Sequence, residues 1–180
     1  MPRTPATSPN DALARLEDTV WPKIRDASIN HGHLDLTCDP NNLLEVVEVL
    51  RDDEVLAFKF FTFLSGVDRS EFSGDPGGLE VLIHLYSPDH VLHVNVHVPV
   101  DAEAPACPSI SHLYAGAIWH ERETYEMFGV VFAGHPNLVN LYLPEDFEGH
   151  PLLRSFKLPS RHVKEWPGAK DPEEAAAGGR

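Results

Sequence analysis

Residues 80–98 constrain the fold of this chain most. Residues 80–86 and 91–98 both read as strands, the second alternating apolar and polar side chains from Leu92, and Ser87-Pro88-Asp89-His90 between them has turn chemistry. A period of two puts Val94, Val96 and Val98 on one face and His93, Asn95 and His97 on the other. The segment therefore reads as a hairpin with one face in a core. His33–Cys38 alternates in the same way, and residues 58–64 read as a further strand. No helical pattern separates the last three strands, which favours antiparallel pairing. Ser8-Pro9 opens a short helix carrying Ala12, Leu13 and Leu16 and stopped at Trp21-Pro22. Asp39-Pro40 opens a second helix over 41–52, with Leu43, Leu44, Val46, Val47 and Leu50 as its apolar face. The fold class that results is α+β, a mostly antiparallel sheet covered by helices.

A third helix reads from Pro108-Ser109 to a stop at Gly129. At about 100° per residue, Ile110, Tyr114, Ala117, Tyr125 and Phe128 share a face, and Glu121 falls in the middle of it. A carboxylate in such a place must be hydrogen-bonded, paired with a cation, or protonated. The segments that return past the helix offer backbone amides, His135 of Gly134-His135-Pro136, or Arg154 as partners. Arg122, Glu123 and Glu126 turn to the opposite side with Trp119, which predicts a charged outer face with an Arg122 to Glu126 ion pair. A tryptophan beside an arginine has the composition of an interface anchor.

Beyond Gly129 the chain is punctuated by Pro, Gly and His and contains only short apolar pieces. We expect residues 1–128 to form the domain, 129–170 to be an extended arm packed on it and on partner proteins, and 171–180 to have the composition of a disordered tail.

Several chemistries are disfavoured. Fourteen basic against 28 acidic residues give a net charge of −14, which disfavours nucleic acid and anionic membrane surfaces as partners. The two cysteines, Cys38 at a strand end and Cys107 in a Pro-rich loop, are too few for an iron–sulfur cluster and read as free thiols. The apolar run over 55–67 is broken by Lys59 and is shorter than the roughly 20 residues a membrane helix needs. The first residues lack an apolar signal core, so the chain is expected in the cytoplasm. His93 and His97, on one strand face, lie roughly 13 Å apart and cannot share an ion directly. Ser73-Gly74-Asp75-Pro76-Gly77-Gly78 reads as a turn between strands and not as a phosphate loop. No catalytic, cofactor-binding or metal residues are expected.

His120-Glu121-Arg122-Glu123-Thr124-Tyr125-Glu126-Met127-Phe128-Gly129 with Gly134-His135-Pro136, then Leu143-Pro144-Glu145-Asp146-Phe147-Glu148-Gly149 and Lys164-Glu165-Trp166-Pro167-Gly168, resembles the signature and following tail of one family. It is that of the 30-kilodalton subunit of respiratory NADH:quinone oxidoreductase, complex I, known in bacteria as the C subunit. The resemblance runs from about Trp21 to Gly168, and departs at Val139 and at Pro151-Leu152-Leu153-Arg154-Ser155-Phe156, where charged contacts of the family are missing. It implies a cofactor-free structural subunit of the hydrophilic arm of a proton-translocating complex, at the cytoplasmic face of the cell membrane and held there through the complex. The implied partners are the 49-kilodalton quinone-site subunit and neighbouring iron–sulfur subunits, with FMN, iron–sulfur clusters and quinone held by those partners. The signature and interface candidates are Trp119, Glu121, Arg122, Glu123, Glu126, His135, Pro136, Pro144, Glu145, Asp146 and Arg154. Two other readings are weighed against it: the equivalent subunit of a related membrane-bound hydrogenase, and a metal-dependent hydrolase built on the His-rich strand and Glu121.

Overall fold

The computed structural model describes residues 6, 8–70 and 77–158. The Lys164–Gly168 motif, the 171–180 tail and most of the 73–78 turn lie outside the described residues. Helix α1, Pro9–Thr19, starts where Ser8 caps it by accepting the Asp11 N–H, with Pro9 in the first turn. Strands β1, Ile24–Asn30, and β2, His33–Cys38, form a tight hairpin, and α2, Leu43–Asp52, follows. Then come β3, Phe60–Asp68, β4, Leu79–Ser87, and β5, Leu92–Val100. The order across the five-stranded sheet is β1-β2-β5-β4-β3.

The β4–β5 hairpin is antiparallel and in the register that the alternation requires, with Val81, Ile83 and Leu85 facing the core beside Val94, Val96 and Val98. β3 pairs antiparallel with β4, and β2 pairs parallel with β5. That parallel pair, the exception in the sheet, follows from the crossover through α2, β3 and β4. Leu34, Leu36, Leu43, Val46, Val47, Leu50 and Leu16 close the core on the helix side. The opposite sheet face, bearing His33, Asp35, His84, Tyr86, His93, Asn95 and His97, carries no helix among the described residues.

The third helix, α3, spans Ala117–Phe128 and is shorter than its periodicity predicts. Ahead of Ala117 the chain makes separate turns, with the Leu113 and Tyr114 amides on Ile110 O and the Ala117 amide on Tyr114 O, while Ser109 N–H donates to Ala133 O at 2.9 Å and Ile110 N–H to Glu121 Oε1 at 2.7 Å. Cys107 lies not in a loop but in strand β6, Ala106–Pro108, paired parallel with β7, Val131–Ala133. Both thiols are buried and free, and burial pushes Cys38 up to about 12. α3 packs along β3, the edge strand. A side chain at Gly66 would meet the Phe128 ring at 2.5 Å, so only glycine permits this approach. His120 Nδ1 reaches the Leu64 backbone, 3.1 Å from its oxygen, and blunts the open strand edge.

Candidate functional site: the signature helix and its arm

The signature side chains on α3 are anchors for chain segments that return to the helix. Glu121 is fully buried. Its Oε2 accepts the Ser109 hydroxyl at 2.6 Å and its Oε1 the Ile110 amide at 2.7 Å, which ties the segment before the helix to its middle. Burial pushes its carboxyl above the usual range, and Ser109, Ile110, His135 and His112 oppose that push. The His135 ring is buried beside it, with Nε2 3.9 Å from Oε2. His135 Nδ1 accepts the Asn137 amide at 3.0 Å, so the ring proton sits on Nε2 and donates to Ile118 O at 3.1 Å. A neutral imidazole satisfies this geometry. Of the expected partners, backbone and His135 are present. Arg154 is not: its amide bonds Asp68 Oδ2 at 2.9 Å and its Nε the Asp68 carbonyl at 3.1 Å, fastening the arm to the end of β3.

Glu126 departs from the sequence reading. It is 3% exposed, and its carboxylate accepts three successive amides of the arm, those of Leu141, Tyr142 and Leu143. Burial would raise its pKa, but the Tyr142, Leu143 and Leu141 amides and the nearby Arg122 outweigh burial and hold it below the usual carboxylate range. Arg122 makes no ion pair with Glu126. Its Nε donates to Val139 O at 2.9 Å and its Nη2 to Asn140 O at 2.7 Å. Adjacent α3 side chains thus read the two sides of one backbone stretch: a guanidinium takes the carbonyls and a carboxylate takes the amides. Because Val139 contributes only its carbonyl, its departure from the family pattern leaves this contact intact.

The arm also completes the end of α3. Gly129, at φ +80°, stops the helix with its N–H on Tyr125 O, and the next two carbonyls are taken by His150 Nδ1 at 2.9 Å and Leu152 N–H at 3.1 Å. Val130 and Phe132 bury in the core. Outward from these anchors stand Trp119 at 57% exposure, Tyr142 at 64% and Leu152 at 54%. Pro136, Pro144, Glu145 and Asp146 are also exposed, and Glu123 is half-buried. The Arg122 guanidinium lies 5.2 Å over the Trp119 ring. Sequence reasoning missed His150 and the inward role of Glu126. Neither has a periodic signal, since the partner is irregular backbone.

The family model described as "Respiratory-chain NADH dehydrogenase, 30 Kd subunit" matches residues 36–162. The chain belongs to this family. It is 38% identical over 90% of its length to the C subunit of the NADH-quinone oxidoreductase of Salinispora tropica, of which it spans 65%. It is 37% identical to the corresponding NADH-quinone oxidoreductase subunit from Mesorhizobium japonicum, with 85% of this chain and 74% of that protein covered. Against the corresponding subunit from a Roseiflexus species it is 38% identical, with 84% and 85% covered. Among solved structures, the Nqo5 trypsin-resistant fragment superposes with a TM-score of 0.61 at 25% identity, covering 71% of this chain and 98% of the fragment. A chain of an archaeal membrane-bound sulfane sulfur reductase also gives 0.61, at 18% identity over 76% of this chain and 77% of its own, and shares the fold.

Proposed function

We propose that this chain is a structural subunit of NADH:quinone oxidoreductase that holds no cofactor and supports electron transfer from NADH to quinone through the contacts it makes. FMN, the iron–sulfur clusters and quinone belong to partner subunits on this reading, and the translocase activity belongs to the assembly. The arm, residues 129–170, is the partner-facing part of the chain, and residues 1–128 are the body that positions it. The 49-kilodalton quinone-site subunit and its iron–sulfur neighbours are the partners, and the complex holds the chain at the cytoplasmic face of the membrane. No helix among the described residues is long and apolar enough to cross a membrane, which agrees with attachment through partners.

One observation carries the reading. Glu121, Arg122, Glu126, His135 and His150 are spent on internal anchors, while Trp119, Tyr142 and Leu152 are left outside. Fixed backbone with exposed aromatic and aliphatic side chains is what a docking subunit presents. The hydrogenase reading is set aside, because the relatives named above are NADH-quinone oxidoreductase subunits. The hydrolase reading needs His93, His97 and Glu121 to converge. His93 instead sits in a ring stack, His97 bonds Glu80 at 3.2 Å, and Glu121 holds Ser109 and Ile110.

Trp119→Ala in the full chain is the test. It removes an exposed ring that the Arg122 guanidinium overlies at 5.2 Å while leaving the Arg122 bonds to Val139 O and Asn140 O in place. Binding to the 49-kilodalton-type partner weakens by about 2 kcal/mol if Trp119 is an interface hot spot, read as loss of co-purification. Unchanged co-purification, or NADH or quinone turnover by the isolated chain, would overturn the reading.

A further inference from the structure

One half of the uncovered sheet face is a ladder of rings. His93 on β5 lies between His33 of β2 and Tyr86 of β4, with ring centroids 4.6 Å away on both sides. His84 of β4 is set diagonally to it, its centroid 5.3 Å from His93 and 5.5 Å from Phe63 of β3. His84 Nε2 and His93 Nδ1 are 3.3 Å apart. Two imidazole nitrogens at that distance share one proton, since one must donate and the other accept. A second proton would set two N–H groups against each other. It also has nowhere better to go, because Nδ1 of His84 is buried without a hydrogen-bond partner.

The charged groups around the ladder are engaged with other partners. Asp35 of β2 accepts Asn30 of β1 at 2.8 Å and Asn95 of β5 at 2.6 Å, and lies 3.8 Å from His97. Glu80 of β4 holds His97 of β5 at 3.2 Å and Arg69 at 3.1 Å. Lys59, before β3, pairs with Asp89 at 3.2 Å. Among the described residues, no carboxylate bonds His33, His84 or His93.

We propose that the His33, His84 and His93 cluster is an acid-operated switch in the open sheet face: neutral, its rings fasten β4 to β5, and protonation beyond the single shared proton drives them apart. Burial holds His84 and His93 below the ordinary histidine value, and the neighbouring imidazoles add to it. Their contribution to stability is therefore present above about pH 6.5 and is lost as pH falls through that value toward their depressed ones. The other half of the face has the opposite sense. The Glu80 hydrogen bond raises His97 above its ordinary value against the pull of burial, with the Glu80 and Asp35 charges adding to the rise. That contribution is full at about pH 6.5 and below and is lost as pH rises through the raised value. Acid loosens the ring ladder while it fastens the Glu80–His97 contact.

The test is a side-chain NMR titration of the full chain from pH 8 to 5, with denaturant unfolding of wild type and His84→Phe over the same range. Phe keeps the stack on Phe63 and removes both nitrogens. The expected result has His84 and His93 titrating below about 6.5, the two rings separating in the same step, and the acid-side loss of stability reduced in His84→Phe, where the share of His93 remains. His84 and His93 titrating at or above the ordinary value, rings that stay together through protonation, or an unchanged pH slope in the variant would each overturn the switch. If His84→Phe does not fold, the wild-type titration alone decides between the first two outcomes and the expected one.

Discussion

The two buried carboxylates of α3 do the same job in different ways. On the inner side, the fully buried Glu121 holds a serine hydroxyl and one amide, and burial raises its carboxyl. On the outer side, Glu126 holds three consecutive amides under the arm, and those amides lower its carboxyl. At Glu121 burial outweighs one hydroxyl and one amide, whereas at Glu126 three amides and Arg122 outweigh burial. Backbone amides cannot reverse, so Glu126 must remain an acceptor at both oxygens. A hydroxyl can reverse, so Glu121 can lose its charge and still be satisfied.

Truncation at the inner anchor has the largest effect. Glu121→Ala leaves the Ile110 amide and the Ser109 hydroxyl without their acceptor and opens a cavity beneath the helix, at a cost of about 3 kcal/mol or more. Chemical denaturation of the isolated chain reads this as a lower midpoint with an unchanged denaturant slope. A loss under about 1 kcal/mol would mean that Glu121 is not what joins the segment before α3 to the helix.

Amide substitutions separate the two anchors. In Glu126→Gln a single oxygen remains and the new NH2 faces the amide of Leu141 or Leu143, donor against donor, for about 2 kcal/mol. The loss is local. Hydrogen exchange speeds up over residues 139–143 while the sheet keeps its protection. In Glu121→Gln the remaining oxygen serves Ile110, the NH2 faces Ser109 Oγ, and the serine proton turns to Ser111 Oγ, 2.7 Å away. That costs about 1 kcal/mol or less. An ionised Glu121 facing a buried cation would cost about 3 kcal/mol or more, and the ring nitrogens of His135 are bonded to Ile118 O and Asn137 N–H and not to Glu121. If Glu121→Gln proves costlier than Glu126→Gln, the assignment of the two anchors is reversed.

What the sequence disclosed follows the same division. Glu121 was legible because a helix has a fixed period and the acid interrupts an apolar face. The β4–β5 hairpin was legible because a strand has a period of two and Ser87-Pro88-Asp89-His90 marks its turn. Glu126 was not, because its partner is irregular backbone 15 to 17 residues on, and a helical wheel assigns any face away from the core to solvent. β1 escaped notice because Arg25, Asp26, Ser28 and Asn30 give an edge strand no apolar alternation. Its turn rests on His31 and Gly32, both at positive φ. The parallel β2–β5 pairing and the histidine ladder depend on which strands are neighbours, and a period of two carries no information about that.

Acid should separate the anchors with the smallest perturbation of all, a change of solvent. Glu126 has a folded pKa below its ordinary 4.5, so its contribution is complete above that value and is lost as pH falls through the depressed one. Glu121 has a folded pKa above 4.5, so the folded chain takes up a proton there sooner than the unfolded chain does. Its contribution therefore grows as pH falls through the raised value toward 4.5. On acidification the outer anchor weakens in the range where the inner one is already protonated and settled. Hydrogen exchange below the Glu126 pKa should then show the Leu141, Tyr142 and Leu143 amides losing protection while the Ile110 amide, still bonded to the protonated Glu121, keeps its own. Simultaneous loss at both places would mean that the arm and the helix seat open as one unit, and that the two carboxylates differ in partners without differing in what they hold.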